Sequence, residues 1–247
     1  MKTFFKILLA IPLAACFPKS LAGQEVIGES YPVHVYSIRA GAEYQYNATY
    51  GHQAAFNVMA VVPVGFHFDF QPAVQASTAN YYTAALQTKA KFNLPAGRLY
   101  LKNRLVFKDV ARSNMYDFCM GLSAGYEWDY IDVEVGMFSR FMDSFGRDYH
   151  SLDAILCEPF NLIYSIKGSV RRPGSSRWNL TLGMSNVDIF EMERGWQPIF
   201  SMGGKFAVNN RLLLNLDAFC KPAGMFHLNA EFYAAIVRFG VTYRLFR

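Results

Sequence analysis

The sequence has few charged residues and no long apolar run. Charged residues make up 17% of its 247 residues, although 52% are hydrophobic. An average soluble domain has about 25% charged residues. Beyond residue 22 no stretch of about 20 apolar residues occurs, which excludes a bundle of transmembrane helices. The hydrophobic content excludes a disordered chain. The net charge of +5 is modest and the aromatic residues are spread evenly, so we expect no nucleic-acid partner.

The N-terminus has the features of an export signal. Lys2 and Lys6 are followed by an apolar stretch that is too short to span a bilayer, and small residues precede Gly23. We therefore predict a signal peptide over residues 1–22 and an outer-membrane barrel domain, argued below, over residues 23–247.

Cysteine is scarce and widely spaced. Cys16 ends a segment, residues 13–16, that resembles a lipobox, so lipidation of Cys16 is an alternative to cleavage after Ala22. Either process would follow export from the cytoplasm. The other three cysteines contain no CxxC spacing and predict neither a disulfide framework nor a zinc site. We expect no metal and no other cofactor.

Strict alternation of apolar and polar residues is the main pattern of the chain. Over residues 36–50 the even positions are Tyr, Ile or Ala, and the odd positions are polar or Gly. A strand of this length is longer than most soluble strands, and no helical period competes with it. The pattern continues at 54–70, 82–94, 97–110, 116–129, 130–141, 156–171, 177–188, 197–208, 211–221 and 226–246.

The apolar face of the segment 116–130 has aromatic residues at both ends and aliphatic residues between them. Its aromatic positions are Tyr116, Phe118, Tyr126, Trp128 and Tyr130. The ten to twelve residues between the two groups would extend over about 33–40 Å, or about 23–28 Å when tilted, which matches the apolar band of an outer-membrane barrel. A soluble core gives no reason for this sorting. The sequence therefore predicts an all-β fold, a single transmembrane antiparallel β-barrel with up-and-down topology.

The connections between the predicted strands alternate between short and long. The short ones are 51–53, 95–97, 129–130, 172–177 and 209–210, and the long ones are 71–81, 111–115, 142–155 and 189–196. Since such barrels have short periplasmic turns and longer external loops, the alternation predicts the orientation in the membrane. Eleven strands are visible, whereas closure with both termini on one side needs an even number. We expect about 12 strands, with a short additional strand within residues 24–33, and about 10 as the alternative.

The C-terminus resembles the terminal assembly signal of bacterial outer-membrane β-barrels. That signal has a polar residue, a glycine two positions later and hydrophobic residues at alternate positions near the chain end. The matching positions here are Arg238, Gly240, Tyr243, Leu245 and Phe246. The additional Arg247 departs from the usual aromatic last residue. The resemblance implies insertion by the outer-membrane assembly machinery of a Gram-negative bacterium, with outer-membrane lipid around the barrel, and the tyrosine-rich character is similar to that of small Bacteroidota barrels.

Charged residues of successive strands fall on the polar face, which would line the lumen. The basic ones are Lys89, Lys91, Arg98, Lys102, Arg104 and Lys108, and the acidic ones are Asp117, Glu127, Asp129, Asp132 and Glu134. Neighbouring antiparallel strands would place basic and acidic rows opposite each other. We expect these rows to neutralise and fill the lumen, and a charged eyelet that selects solutes is the alternative.

Two functions follow from this lumen. In the first, the barrel is a structural or interaction subunit of an outer-membrane assembly, with protein partners in the membrane. In the second, it is a narrow channel or small-solute transporter. Small barrels are filled by side chains, whereas barrels of about 16–18 strands leave an aqueous channel, and this favours the first function.

A hydrolase acting on lipid or at the barrel rim is a third interpretation. Ser185 lies in a stretch similar to the His-x-Ser-Asn motif of lipid A deacylases, but Gly183 stands at the histidine position. Without that base the serine hydroxyl is not activated. Residues 143–153 include Asp and His, as at the rim of omptin proteases, although an ordinary solvated loop has the same composition. We therefore expect no enzyme.

Overall fold

The chain forms a closed antiparallel β-barrel of twelve strands. The computed structural model describes residues 35–48, 51–65, 67–79, 81–110, 115–144, 156–170, 177–195, 197–223 and 231–246. The predicted signal peptide, the lipobox at Cys16 and the strand expected within 24–33 lie outside these residues. The all-β fold and the up-and-down topology are confirmed.

Each strand pairs with its neighbours in sequence, and the last strand pairs with the first. The strands are β1 (Val35–Asn47), β2 (Gly51–Val64), β3 (Phe68–Ser77), β4 (Tyr81–Leu94), β5 (Gly97–Val110), β6 (Met115–Glu127), β7 (Ile131–Ser144), β8 (Leu156–Ser169), β9 (Trp178–Ser185), β10 (Ile199–Ala207), β11 (Leu212–Ala223) and β12 (Glu231–Phe246). Closure joins Val35 to Phe246 and Gly41 to Gly240.

The twelfth strand comes from a segment that the sequence analysis assigned otherwise. Residues 54–70 were expected as one strand and 71–81 as a loop, but the chain turns after Val64 and returns as β3. Gly65 has φ +64°, a left-handed conformation that favours glycine, and it begins this turn. Pro72 made β3 hard to predict, because proline has no backbone N–H to donate to a neighbouring strand. The β2–β3 pairing is interrupted at this position.

The additional turn changes which connections share an end of the barrel. The termini end, which holds Val35 and Phe246, has the connections 65–67, 95–96, 128–130, 170–177 and 208–211. The loop end has 48–50, 78–80, 111–114, 145–155, 186–198 and 224–230. The predicted strict alternation is wrong at the first turn, since the connection before Gly51 lies at the loop end. The longest connections still gather there, so we expect the termini end to face the periplasm.

The two faces of the wall differ in polarity. Large apolar side chains are exposed on the outside, with Phe56 at 70% and Leu122 at 65%. Polar and charged side chains such as Glu43, Asn57 and Arg104 are buried on the inside. An apolar exterior and a polar interior are the reverse of a soluble fold and are typical of a barrel surrounded by lipid.

The described residues include no helix long and apolar enough to span a membrane.

The aromatic residues of the segment 116–130 divide between strand and turn. Tyr116, Phe118 and Tyr126 lie at alternate positions of β6, on its outer side. Trp128 and Tyr130 lie in the turn after it and are exposed. Trp128 continues the aromatic surface, since its ring is 4.4 Å from the ring of Tyr126.

Candidate functional site in the lumen

A short hairpin between β9 and β10 folds into the barrel. Residues 186–193, here called the lumenal hairpin, are closed by a bridge between Val187 and Met192. The Asp188 amide donates to the Glu191 carbonyl at 2.8 Å, and the Glu193 amide donates to the Asn186 carbonyl at 2.8 Å. The connection 189–196 was expected as an external loop, and its first part is instead inside the lumen.

Apolar contacts hold one side of the lumenal hairpin. Val187, Phe190 and Met192 are buried in a cluster with wall residues of β3 to β8. These wall residues are Ala73, Ala85, Val106, Cys119, Phe138 and Ile163. Burial of each of the three hairpin side chains stabilises the inserted position by about 1.5–3 kcal/mol. The wall provides the necessary space at Gly121, where a side chain would meet the end of Met192.

The base of the hairpin is fixed by Asn186 and Ser185. β9 pairs with β8 only over Ser165–Ser169, so the preceding part of β8 has no strand partner on this side. The Asn186 side chain accepts a bond from the Tyr164 amide at 2.8 Å and donates to the Leu162 carbonyl at 2.6 Å. The Ser185 hydroxyl donates to the Val187 carbonyl at 3.0 Å. This serine, considered above as a nucleophile, therefore forms a hydrogen bond within the turn.

Ion pairs hold the other side of the hairpin. Asp188 contacts Arg238 of β12 at 2.8 Å. Glu191 contacts Lys221 of β11, and it lies 3.8 Å from Lys108 of β5. Glu193 lies 3.3 Å from Lys221. Because β5 and β11 are six strands apart in a ring of twelve, Glu191 connects opposite walls of the barrel.

Asp188 keeps its charge inside the protein. Burial alone would raise the pKa of this carboxyl group, but the charge and hydrogen bond of Arg238 lower the pKa to about 2. The guanidinium is itself held by Glu43 at 2.7 Å and lies 5.3 Å from the Phe190 ring centre. The contact between the hairpin tip and β12 is therefore ionic at any physiological pH.

A second polar cluster surrounds Glu134. Its carboxylate accepts bonds from Lys102 at 2.7 Å and from Arg104 at 2.9 Å. The Ser123 hydroxyl also donates a hydrogen bond to this carboxylate. The Tyr100 hydroxyl lies 3.3 Å from Glu134 Oε2 and donates to Asp132 at 2.7 Å. These side chains are almost fully buried, so the cluster is a fixed part of the wall rather than a binding surface.

The other predicted charges that face the lumen are also brought into pairs. Glu127 contacts Lys89 and lies 3.7 Å from Arg98, Lys91 contacts Asp69, and Asp117 contacts Arg140 at 2.6 Å. Lys108 has the hairpin residue Glu191 as its partner rather than an acid of the next strand. Asp129 lies elsewhere, because β6 ends at Glu127 and Asp129 is exposed in the following turn, outside the lumenal rows.

The acidic residues of the hairpin are not among the predicted lumenal residues. Asp188, Glu191 and Glu193 alternate with apolar residues in a segment that was assigned to a loop. That alternation, together with the excess of basic residues on the strands, is the signal that could have indicated insertion. The strand cations that receive them, Lys221 and Arg238, were not among the predicted lumenal residues.

The residues of the C-terminal motif occupy both faces of β12. Gly240 is on the inside, where the Arg39 guanidinium fills the space that a side chain would take. Tyr243 and Leu245 are exposed on the outside. Phe246 pairs with Val35 at the closure of the barrel.

Known structures share this fold. A KdgM porin, solved in complex with disordered oligogalacturonate, has 10% identity and a TM-score of 0.51, with 84% of this chain and 98% of that chain covered. The translocator domain of the autotransporter NalP from Neisseria meningitidis has 13% identity and a TM-score of 0.51, with 99% and 95% covered. An outer-membrane channel from Pseudomonas putida F1 has 9% identity and a TM-score of 0.50, with 91% and 100% covered.

No family model and no curated protein matches the sequence. The class of the protein follows from the fold and its surface. A closed twelve-strand barrel with an apolar exterior, similar to these barrels, defines an integral outer-membrane β-barrel protein with a porin-like fold. The similar structures are a porin, a translocator domain and a channel rather than enzymes.

Proposed function

We propose that the protein is a narrow outer-membrane channel for small solutes, constricted by the lumenal hairpin. One observation carries this proposal: Glu191 joins Lys108 and Lys221 from opposite walls, so the inserted segment crosses the lumen. This was the second of the two functions considered from the sequence. In this proposal the charged segment narrows the lumen, and water and ions pass beside it.

The filling of the lumen is uneven, which supports a passage rather than a solid barrel. Lys167 of β8 and Lys205 of β10 lie on lumen-facing positions and are nevertheless exposed. The wall between them has small inward residues, namely Thr181, Gly183, Ser201 and Gly203. In a solid interior these lysines would be buried, as Lys102 is.

The similar structures have a porin-like fold, which supports the same function. Their low sequence identity limits the similarity to the fold. The function as a structural or interaction subunit is supported by the rigid Glu134 cluster, which stiffens one wall. A gentle detergent pull-down with mass spectrometry distinguishes the two, since only the subunit requires a stoichiometric membrane partner.

Single-channel recording in planar bilayers tests the channel directly. The full chain is compared with Glu191→Gln, which removes the charge that joins the walls. Asp129→Asn is the matched control, because it also removes one negative charge but lies in an exposed turn. We expect discrete current steps from the full chain, several-fold larger or more frequent steps from Glu191→Gln, and no change from the control. Absence of current from all three proteins would overturn the proposal.

A further inference from the structure

Three cations lie together on the lumenal side of one wall, in the half of the barrel next to the termini end. They are Lys167 of β8, Lys205 of β10 and Arg244 of β12, here called the cation patch. Each lies in phase with inward-facing residues of its own strand, such as Ser165 before Lys167 and Gly240 before Arg244. Lys205 is within electrostatic range of both other members.

The cation patch has more basic than acidic groups. Among the described residues, no carboxylate forms an ion pair with Lys167, Lys205 or Arg244, whereas most cations on the opposite wall have one. Asp217 acts electrostatically on Lys205, but it is bound by Arg39 at 2.6 Å. Asp188 is within electrostatic range of Lys167 but is bound by Arg238. Asp132 of β7 is the register partner of Lys167, and it accepts a hydrogen bond from the Tyr100 hydroxyl. Because only this further acid lies beside three cations, the patch carries an excess of positive charge.

The patch is enclosed by the barrel and yet accessible to solvent. Lys167 and Lys205 are exposed, and Arg244 is partly exposed. The stem of Lys167 lies over Gly183, in the place where a side chain on β9 would be. The small neighbours on β9 and β10 leave room in front of the two ammonium groups. A solute in the lumen could reach these groups without moving the wall.

The rim of the barrel extends the positive charge beyond the patch. A cavity of about 420 Å³ lies at the β10–β11 turn of the termini end. Arg177 and Arg211 are among its lining residues, and both are exposed. The amide of Arg244 donates to the carbonyl of Arg211, so this rim residue lies directly beside a member of the patch.

We propose that the cation patch binds anionic solutes, those that carry carboxylate, phosphate or sulfate groups, and makes the passage anion-selective. An excess of cations in an enclosed space concentrates anions and forms charge-assisted hydrogen bonds with them. The selectivity rests on the proposed channel function, whereas the binding does not.

Binding to the folded full chain in detergent is the first test. Tripolyphosphate and tricarballylate, a tricarboxylate, are the probes in calorimetric titrations, and maltotriose is the uncharged comparison. The variant is Lys167→Gln with Lys205→Gln. The matched control is Lys89→Gln with Lys91→Gln, which removes two lysines from β4, the strand opposite β10. Heat-modifiable migration on gels establishes that each variant is folded.

We expect both anions to bind the full chain, and maltotriose not to bind. The patch variant should bind the anions about tenfold or more weakly, while the control stays within about twofold. The stronger of the two anions identifies whether phosphate or carboxylate is the preferred group. Equal loss in variant and control would assign the effect to the general charge of the lumen and overturn the patch.

Reversal potentials in a KCl gradient are the second test. The full chain should favour chloride over potassium, and the patch variant should lose this preference. A barrel that binds the anions through the patch but carries no current would refute the channel and leave the binding site. A barrel that conducts without anion preference and binds neither probe would refute the patch and leave the channel.

Discussion

Lys108 and Lys221 lie on opposite walls of the barrel, and the carboxylate of Glu191 lies between them, in contact with Lys221 and 3.8 Å from Lys108. The two lysines belong to strands six positions apart in a ring of twelve. No strand pairing brings them together. The lumenal hairpin therefore connects opposite walls across the interior. We expect substitutions in the hairpin to alter its position without altering the stability of the wall.

The apolar side of the hairpin should decide whether it stays inserted. Phe190→Ala removes a buried ring, at a cost of about 3–5 kcal/mol, and should release the hairpin without unfolding the barrel. A glutamate-specific protease added to proteoliposomes should then cleave after Glu191, in the released tip, and mass spectrometry identifies the site. Phe160→Ala is the control, because Phe160 is 79% exposed on the strand β8. Equal protection of both variants would show that the ring does not hold the hairpin.

Lys221 should be coupled to the acids that it holds. Lys221→Met leaves Glu191 and Glu193 without their shared partner and should destabilise the inserted hairpin by about 3–5 kcal/mol. Adding Glu191→Gln to this variant should recover part of the loss, because one uncompensated charge is removed. Protection of the bond after Phe190 from chymotrypsin, measured in the four proteins of this cycle, gives the coupling energy. Additive effects would contradict a direct interaction.

Glu134 should be essential to the stability of the wall. Glu134→Gln leaves Lys102 and Arg104 buried without a counter-charge, which should cost about 3–5 kcal/mol. The measurement is the temperature at which the folded form on unboiled gels converts to the slower unfolded form. Asp129→Asn, which also removes one negative charge, should leave that temperature unchanged. A normal transition in Glu134→Gln would exclude a structural role for the cluster.

Gly125 should tolerate no side chain. A methyl group on Gly125 would overlap the buried ring of Tyr100 on β5, and it would also lie 2.6 Å from the Val133 carbonyl oxygen on β7. Gly125→Ala should therefore lower the transition temperature on gels by several degrees. Gly168→Ala is the matched control, because the closest atom to its methyl group would be the Leu182 carbonyl oxygen at 4.0 Å. Tyr100→Leu removes the ring, so Gly125→Ala should lower the transition temperature less in the Tyr100→Leu background than in the full chain, with the Val133 contact accounting for the remainder.

Most of the strands could be predicted from the sequence because alternation is a local property. The wall needs one apolar and one polar face, and each strand shows this by itself. β3 was missed because Pro72 and the turn at Gly65 conceal a strand whose pairing is interrupted. The predicted number of twelve strands is correct, but it includes β3, which was not expected as a strand of its own.

The lumenal site could be predicted only where the partners lie on strands that are close in the sequence. The association of Glu134 with Lys102 and Arg104 follows from rows on β5 and β7, two strands apart. The position of Glu191 depends on Lys221 and Lys108, which belong to distant strands. Only the closed ring brings these residues together, so no local pattern could reveal the contact.

Asn186 limits how the hairpin can move. Its side chain bonds to the backbone of β8 at Leu162 and Tyr164, where β9 has already ended, and it also holds the Glu193 carbonyl at 2.8 Å. Swinging the whole segment outward would leave those backbone groups unpaired in an apolar wall, which is costly. The Asn186 side chain thus holds both ends of the hairpin against the wall. Any opening of the lumen is confined to the tip, residues 187–192, which would have to fold back while its two ends stay in place.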